Sequence, residues 1–214
     1  MDAIYKSDVA GVKEWIRTSD VNKLDNEGNT PLIAALSVDT LNALEIVGIL
    51  LDAGADPNIR GLENKSPLHF ACERKKSGCV SMLLLKNGMV NCQDNGGMTP
   101  MGALFSIYDN QAECDWPCSD ELLKCLNLLI DADANLDEVV VGWDTPLMAA
   151  VRIGEPLCVE ALLQAGAKRE IKGSRNKQTA LQQAEGFIGP DSKKPEPLKR
   201  QIAACAELLR NFNP

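Results

Sequence analysis

Two short phrases alternate along this 214-residue chain, and their alternation constrains the fold more than any other feature. The first phrase is TPL or a close variant, and its copies lie at 30–32, 66–69, 99–101, 145–147 and 179–181. The second phrase centres on a leucine-rich pair, and its copies lie at 50–58, 84–92, 129–137, 162–170 and 208–214. Because the two phrases keep the same order in every copy, the sequence indicates a repeat architecture.

Each phrase predicts one helix. In the first phrase a Thr or Ser occupies the expected N-cap, where its hydroxyl accepts a free backbone N–H, and Pro usually follows at the first helical position. Small residues such as Ala34 and Ala35 then allow close packing between units. The second phrase predicts a helix that ends at Gly54, Gly88 or Gly166, since glycine suits a left-handed C-cap. Each unit is therefore predicted to be a turn followed by two antiparallel helices.

These units resemble the ankyrin repeat. The residues that carry the resemblance are Gly28, 30–32, 50–58, 66–69, 145–147 and 162–167. The resemblance implies an all-α fold, an ankyrin-repeat solenoid of antiparallel helix pairs joined by β-turn or hairpin loops. It also implies a non-catalytic protein–protein interaction module, acting as an adaptor, scaffold or inhibitor. Such a module would bind its protein partner through a concave face of turn tips and first helices.

The repeats predict one ankyrin-repeat domain over residues 1–214. Residues 1–24 are expected to form an N-terminal capping helix pair. Repeats are then expected at 25–60, 61–93, 94–139, 140–173 and 174–214. The third and fifth repeats are longer than the others, which predicts insertions near 106–118 and 186–197. Insertions in repeat arrays often carry function because the scaffold tolerates them.

Charge and composition exclude several classes of partner. The net charge of −8 argues against non-specific nucleic-acid binding and against a polybasic membrane-binding patch. The start of the chain does not resemble a signal peptide, and no apolar run is long enough for a membrane helix. We therefore expect a cytoplasmic or nuclear monomer whose eight cysteines are free thiols.

The residues that could carry catalysis or bind a metal are better explained by structural roles. His69 is the only histidine, and the ankyrin resemblance implies that it hydrogen-bonds between neighbouring repeats. Asp131, Asp133 and Asp137 lack the glycine and the closing Glu of a calcium loop, and Asp133 replaces the helix-ending glycine. We predict no catalytic residue, no metal site and no cofactor.

One alternative remains open, a metal- or redox-active protein that uses the cysteines of the 106–125 insertion. Cys114, Cys118 and Cys125 lie close together there, but their spacing is irregular for a zinc site. Cys125, like Cys72, Cys79, Cys158 and Cys205, lies on a predicted helix, where burial in the core is expected.

The fourth repeat departs from the pattern at its turn. Apolar residues stand there where the other repeats have polar ones, and they either pack against neighbouring turns or form an exposed apolar patch. The basic run after the first helix of repeat two is either a solvated helix end or an anchor for an acidic partner. The candidate partner-binding residues are Val139, Val140, Val141, Trp143, Trp116, Arg74, Lys75, Lys76 and Leu62.

Overall fold

A computed structural model describes residues 1–38, 40, 42–106, 120–139, 144–174 and 176–212. The chain forms two compact units, Met1–Leu104 and Phe105–Pro214. Within the described residues the regular structure is entirely helical, and none of it is strand. The predicted all-α architecture is confirmed.

In the first unit, short helices pack in pairs. Helix α3 packs on α4 and α5, and α5 packs on α6 and α7, so each repeat contacts its neighbour. The helices of this unit are α1 (Asp2–Tyr5), α2 (Val9–Trp15), α3 (Pro31–Ser37), α4 (Ala43–Asp52), α5 (Pro67–Glu73), α6 (Ser77–Leu85) and α7 (Pro100–Leu104).

The second unit follows the same plan. Helix α9 packs on α10 and α11, and α11 packs along α12. Its helices are α8 (Asp120–Asp131), α9 (Pro146–Ile153), α10 (Pro156–Gln164), α11 (Ala180–Ile188) and α12 (Glu196–Asn211). The insertion predicted at 186–197 is largely absorbed by longer helices, and only 189–195 lies between them. Most of the insertion predicted at 106–118 lies outside the described residues.

The predicted N-caps are confirmed in all five repeats. Each hydroxyl accepts the backbone N–H three residues later, for example Ile33 N–H to Thr30 Oγ1 at 3.2 Å and Met148 N–H to Thr145 Oγ1 at 3.3 Å. The other capping residues are Ser66, Thr99 and Thr179. These hydroxyls satisfy a backbone donor that the helix itself leaves free.

The predicted end of the second helix in repeat two is wrong by one residue. The left-handed residue there is Asn87, with φ of 62°, and not Gly88. Asn87 N–H donates to Leu84 O and Gly88 N–H to Leu83 O, as Gly54 N–H and Ala55 N–H do in repeat one. The core pair is therefore 83–84 and not 84–85. This register buries Leu83 and leaves Leu85 80% exposed.

The helix ends of the later repeats follow the predicted pattern. Gly166 is left-handed with φ of 93°, and Asp133 is left-handed with φ of 58°. Asp133 is therefore a substituted helix end, as the sequence predicted. Its strain is modest because aspartate tolerates this conformation better than most residues.

The described cysteines are buried thiols, as predicted. They are Cys72, Cys79, Cys92, Cys125, Cys158 and Cys205. Burial raises the pKa of the Cys205 thiol to about 12, with the charge of Glu155 acting in the same direction. Burial also raises the pKa of Cys79. These two thiols therefore stay protonated at neutral pH, which makes them poor nucleophiles and poor metal ligands.

A ladder of side chains joins successive repeats at a position that the sequence analysis did not single out. Asn58 donates from Nδ2 to Asn87 O at 3.0 Å and accepts Met89 N–H at Oδ1, at 2.8 Å. Asn22 makes the same pair of bonds to Gly54 O and Asp56 N–H. In the second unit Asp137 accepts Lys168 N–H and pairs with its ammonium at 3.1 Å. Each of these residues precedes a helix-capping Thr or Ser at the same spacing.

Replacing Asn58 with Ala should lower the free energy of unfolding by about 1–2 kcal/mol, since two inter-repeat hydrogen bonds are lost in a partly wet setting. Urea denaturation followed by circular dichroism measures the loss. The control is Asn26→Ala, which truncates an exposed asparagine at a turn tip and should cost under about 0.5 kcal/mol. Equal losses in the two variants would show that the ladder does not hold the repeats together.

Candidate partner-binding surface

Hydrogen bonds brace the turn tips of repeats one to three. In repeats one and three, Asp25 and Asp94 accept backbone N–H groups two and four residues later, at 2.8–2.9 Å. Left-handed Gly28 and Gly97 complete these turns. Burial raises the pKa of Asp25, but hydrogen bonds from backbone N–H groups and from the Tyr5 hydroxyl outweigh it and hold that pKa below its ordinary value. The carboxylate is therefore charged and fixed at neutral pH.

The tip of repeat two uses other residues to make its turn. Gly61 replaces the aspartate, and Glu63 and Asn64 are both left-handed, with φ of 56° and 61°. Asparagine tolerates this left-handed conformation better than most residues. Asn95 N–H donates to Glu63 O at 2.9 Å, which joins the tips of repeats two and three. Leu62 lies in this turn and is 64% exposed.

Leu62 lies in repeat two, which also carries all three charged candidates, Arg74, Lys75 and Lys76. Lys65 pairs with Glu63 at 3.2 Å and lies 3.9 Å from Glu73, at the end of helix α5. These ion pairs place a charged border on the tip of repeat two. An exposed leucine beside charged groups is a common arrangement at the rim of binding surfaces.

The basic run after α5 divides into three different environments. Lys76 donates its ammonium to Leu36 O at 3.0 Å and Val38 O at 2.6 Å, so it satisfies carbonyls at the end of α3. Lys75 is exposed and left-handed, with φ of 53°, in the position that Gly154 occupies after α9. Arg74 is exposed at the C-cap of α5. Lys76 is thus held inside the unit, whereas Arg74 and Lys75 face solvent.

The apolar tip of repeat four is described only at its first residue. Val139 is half-buried. Val140, Val141, Gly142 and Trp143 lie outside the described residues, as does Trp116 of the insertion. The two interpretations of this tip, packed or exposed, therefore both remain predictions.

His69 is a structural residue, as predicted. It is buried at the start of α5, where Nδ1 lies 2.8 Å from Ser66 Oγ and 3.2 Å from Ser66 N. On its other side Nε2 lies 2.8 Å from Met98 O in the next repeat. Because a carbonyl only accepts, Nε2 carries the proton and Nδ1 accepts. Both nitrogens are used, which leaves none for general base catalysis.

A second polar cluster lies in the second unit, around the first helices of repeats four and five. Arg152, near the end of α9, places Nε 3.8 Å from Asp144 Oδ2. Asp144 Oδ1 accepts a 3.0 Å hydrogen bond from Gln183 Nε2 on α11. Lys194, between α11 and α12, places its ammonium 4.7 Å from the centre of the Phe187 ring. The sequence analysis missed this cluster because its members lie far apart along the chain.

Among the described residues, no group of three or more His, Cys, Asp or Glu could hold a metal ion. Cys114 and Cys118 lie outside those residues, and Cys125 is buried on α8. No described helix is both long and apolar enough to cross a bilayer.

Paired short helices with rigid turns between them define a helical repeat protein. Family models of the ankyrin repeat match the chain, one of three copies over residues 38–114 and a single copy over 143–174. The chain belongs to the ankyrin repeat family. That fold is in general a non-catalytic module for protein–protein interaction.

Relatives in sequence carry their ankyrin repeats inside much longer chains. A probable serine/threonine-protein kinase of Dictyostelium discoideum is 34% identical over 164 residues, which is 74% of this chain and 18% of the relative. The ankyrin repeat protein nuc-2 of Neurospora crassa is 31% identical over 153 residues, covering 71% of this chain and 13% of the relative. This chain therefore spans less than a fifth of the length of either.

Solved structures share the fold at low sequence identity. The crystal structure of the ankyrin repeat protein EF0377 superposes with a TM-score of 0.75 at 24% identity, covering 99% of this chain and 96% of that one. The ankyrin repeat domain of Bcl-3, described as a member of the IkappaB protein family, gives a TM-score of 0.69 at 21% identity over 97% of this chain and 82% of that one.

Proposed function

We propose that this chain serves as an adaptor, scaffold or inhibitor by binding a protein partner through its turn tips and first helices. The observation that carries the proposal is Leu62, a large apolar side chain that is 64% exposed on a tip of fixed backbone. Removing such a side chain from water on binding is favourable, and a rigid tip loses little conformational entropy in the process.

Differences between the tips support the same proposal. The frame of caps and helix ends recurs from repeat to repeat, whereas the pairs of tip residues differ, with Asn26 and Glu27 in repeat one, Leu62 and Glu63 in repeat two, and Asn95 and Gly96 in repeat three. A constant frame with variable tips suits recognition of a particular partner, because the frame fixes the geometry while the tips supply the chemistry. Arg74 adds an exposed cation of the type enriched at binding hot spots.

The cysteines of the core favour a reducing compartment, and we place the chain in the cytoplasm or nucleus. The six described cysteines are reduced and buried on or beside its helices. Fluorescence microscopy of the tagged full-length protein tests this placement, and accumulation in a secretory compartment would contradict it.

Leu62→Ser should weaken capture of at least one partner by about 10- to 100-fold, because a buried leucine contributes roughly 1.5–3 kcal/mol. The measurement is affinity capture with crosslinking mass spectrometry, followed by titration of the partner so identified. The matched control is Leu85→Ser, since Leu85 is an equally apolar and even more exposed residue on a second helix. Unchanged affinity for every captured partner in Leu62→Ser, with its fold intact, would remove this tip from the binding surface.

A further inference from the structure

We propose that Leu85 and Met89, together called the α6 patch, bind an apolar protein segment that carries basic residues beside its apolar ones. Leu85 is the last residue of α6, and Met89 lies in the loop that follows. The α6 patch is thus on a second helix and its loop. This inference goes beyond the proposed function, which concerns the turn tips and the first helices.

The first observation is the exposure of these two side chains. Leu85 is 80% exposed and Met89 is 55% exposed. Side chains this exposed add little to the core, so packing within repeat two does not explain why they are apolar. Single exposed apolar residues are nevertheless common on protein surfaces, and exposure alone would not mark a binding site.

The second observation is that repeats one, three and four carry polar residues at both positions. The left-handed residue that ends each second helix aligns the repeats, and it lies two residues after Leu85 and two residues before Met89. The equivalents of Leu85 are Asp52, Asp131 and Gln164, and those of Met89 are Asp56, Asn135 and Lys168. All six are exposed. The frame therefore accepts polar residues here, and repeat two departs from it twice around one helix end.

Hydrogen bonds hold the backbone of the α6 patch in place. Gly88 N–H donates to Leu83 O at 2.8 Å, and Met89 N–H donates to Asn58 Oδ1 of repeat one at 2.8 Å. A patch on a fixed backbone loses little conformational entropy on binding. Methionine adds an unbranched, polarisable side chain that adapts to the shape of a partner.

Carboxylates of repeat one border the α6 patch. Lys86 pairs with Asp52 at 3.2 Å. Asp56 accepts the N–H of Asn58, whose own side chain holds Met89. Lys86 offsets only one of the two carboxylates, so this border keeps a net negative charge. It would attract a basic residue that lies beside the apolar residues of the partner.

The size and the charge of the α6 patch favour this occupant over two others. A standard interface buries about 800 Å² on each partner, far more than two side chains supply, which disfavours a stable dimer of this chain. The acidic border also disfavours a membrane, because anionic lipid surfaces would be repelled. A short apolar segment with a basic flank fits both the small area and the charge.

The test uses two synthetic peptides as probes with the full chain, acetyl-Leu-Leu-Arg-Arg-amide and acetyl-Leu-Leu-Glu-Glu-amide. Amide chemical shifts are followed by NMR at pH 7 and low salt. We expect the basic peptide to give saturable shifts for residues 49–58 and 82–91, and the acidic peptide to bind about tenfold more weakly. No saturable shift with the basic peptide, or equal binding of the two peptides, would overturn the proposal.

Variants locate the binding. Leu85→Gln and Met89→Asn introduce neutral residues that the chain carries at the equivalent positions of repeats four and three. Each should raise the dissociation constant of the basic peptide by about tenfold, whereas Leu62→Ser, the matched control in the same unit, should leave it unchanged. An unchanged dissociation constant in both Leu85→Gln and Met89→Asn would contradict the proposal.

Asp56→Asn tests the basic flank separately. It keeps an oxygen that can accept Asn58 N–H and removes the charge, so it should weaken the basic peptide by about threefold and not weaken the acidic one. Equal weakening of both peptides would show that the carboxylate acts through the loop and not through its charge. Self-association in sedimentation velocity that Leu85→Gln abolishes would assign the α6 patch to a second copy and reject the proposal.

This proposal and the proposed function fail separately. Failure of the peptide titration would reject the α6 patch and leave binding through the turn tips intact. Leu85→Ser also remains a valid control for Leu62→Ser, because it should spare any partner that Leu62→Ser releases.

Discussion

His69→Ala should lower the free energy of unfolding by about 3 kcal/mol, one of the two largest effects that we expect from a single substitution. The substitution removes the acceptor for Ser66 N–H and the donor for Met98 O, and it leaves a cavity at a fully buried position. Ser66 N–H then loses its acceptor, whereas Met98 O keeps the bond from Asp94 N–H at 2.9 Å. Urea denaturation of purified protein gives the difference directly.

His69→Gln is the informative second substitution at this position, because the chain has glutamine at the equivalent position of repeat five. There Gln182 Oε1 accepts Thr179 N–H at 3.0 Å, which reproduces half of the role of His69. We expect His69→Gln to recover about half of the loss, since the cap is restored and the bond to Met98 O is not. A loss as large as that of His69→Ala would mean that the cap contributes little.

His69 also predicts how stability depends on pH. Burial is the largest influence on its pKa and lowers it below the ordinary 6.5, although the hydrogen bond to Met98 O opposes the shift. The unfolded chain therefore binds a proton at a higher pH than the folded chain does. Stability should fall as the pH drops through about 6.5 toward the lower folded pKa, and be constant from about pH 7.5 to 8.

The pH effect is measured by urea denaturation between about pH 5 and 8, above the range in which most carboxylates titrate. His69→Gln should show a flatter profile over that range, because it has no titrating ring. A wild-type profile with the same slope as that of His69→Gln would show that protonation of His69 is not coupled to unfolding.

The helix caps could be predicted from the sequence because the same residue pattern recurs in each repeat. Thr30 and Thr145 cap helices through hydrogen bonds that span three residues, so the residue type and its spacing suffice to predict them. The role of His69 between repeats was implied by the resemblance of residues 66–69 to the ankyrin repeat. Features that depend on a few neighbouring residues can therefore be predicted from the sequence.

The errors arose where several registers satisfied the same pattern. Leu83, Leu84 and Leu85 form a run in which either overlapping pair fits the leucine-rich phrase. The backbone bonds from Asn87 N–H to Leu84 O and from Gly88 N–H to Leu83 O distinguish the two registers. The prediction placed the left-handed residue at Gly88 and therefore chose the wrong register. Asparagine also tolerates this conformation, and Asn87 adopts it. The register that the chain adopts leaves Leu85 exposed.

Contacts between repeats could not be predicted from the sequence, for a different reason. Lys76 bonds to Leu36 O across 40 residues, and Gln183 donates to Asp144 across 39 residues. No local sequence pattern predicts these contacts, because they depend on how the helices end and pack against one another. The basic run therefore looked uniform in sequence, although its three side chains differ in environment.

Gly154→Ala should destabilise the chain by about 3 kcal/mol, the sum of a left-handed penalty of roughly 1 kcal/mol and a packing penalty of roughly 2 kcal/mol. Gly154 ends α9 with φ of 73°. A methyl group there would lie 2.6 Å from Leu198 Cδ1 and 3.2 Å from Gln201 Cβ, both on α12. Leu198 Cδ1 is the end of a flexible side chain that can turn aside, but Gln201 Cβ is fixed to the backbone of α12, so α12 itself must give by a few tenths of an ångström.

Gly166→Ala supplies the matched control within the same unit. Gly166 has φ of 93°, and a methyl group added to it would meet nothing within 4 Å. It therefore carries the conformational penalty alone, about 1 kcal/mol. Urea denaturation of both variants isolates the packing part as their difference. A difference near zero would mean that Leu198 swings aside without cost, and that the end of α9 is free to move against α12 rather than packed tightly upon it.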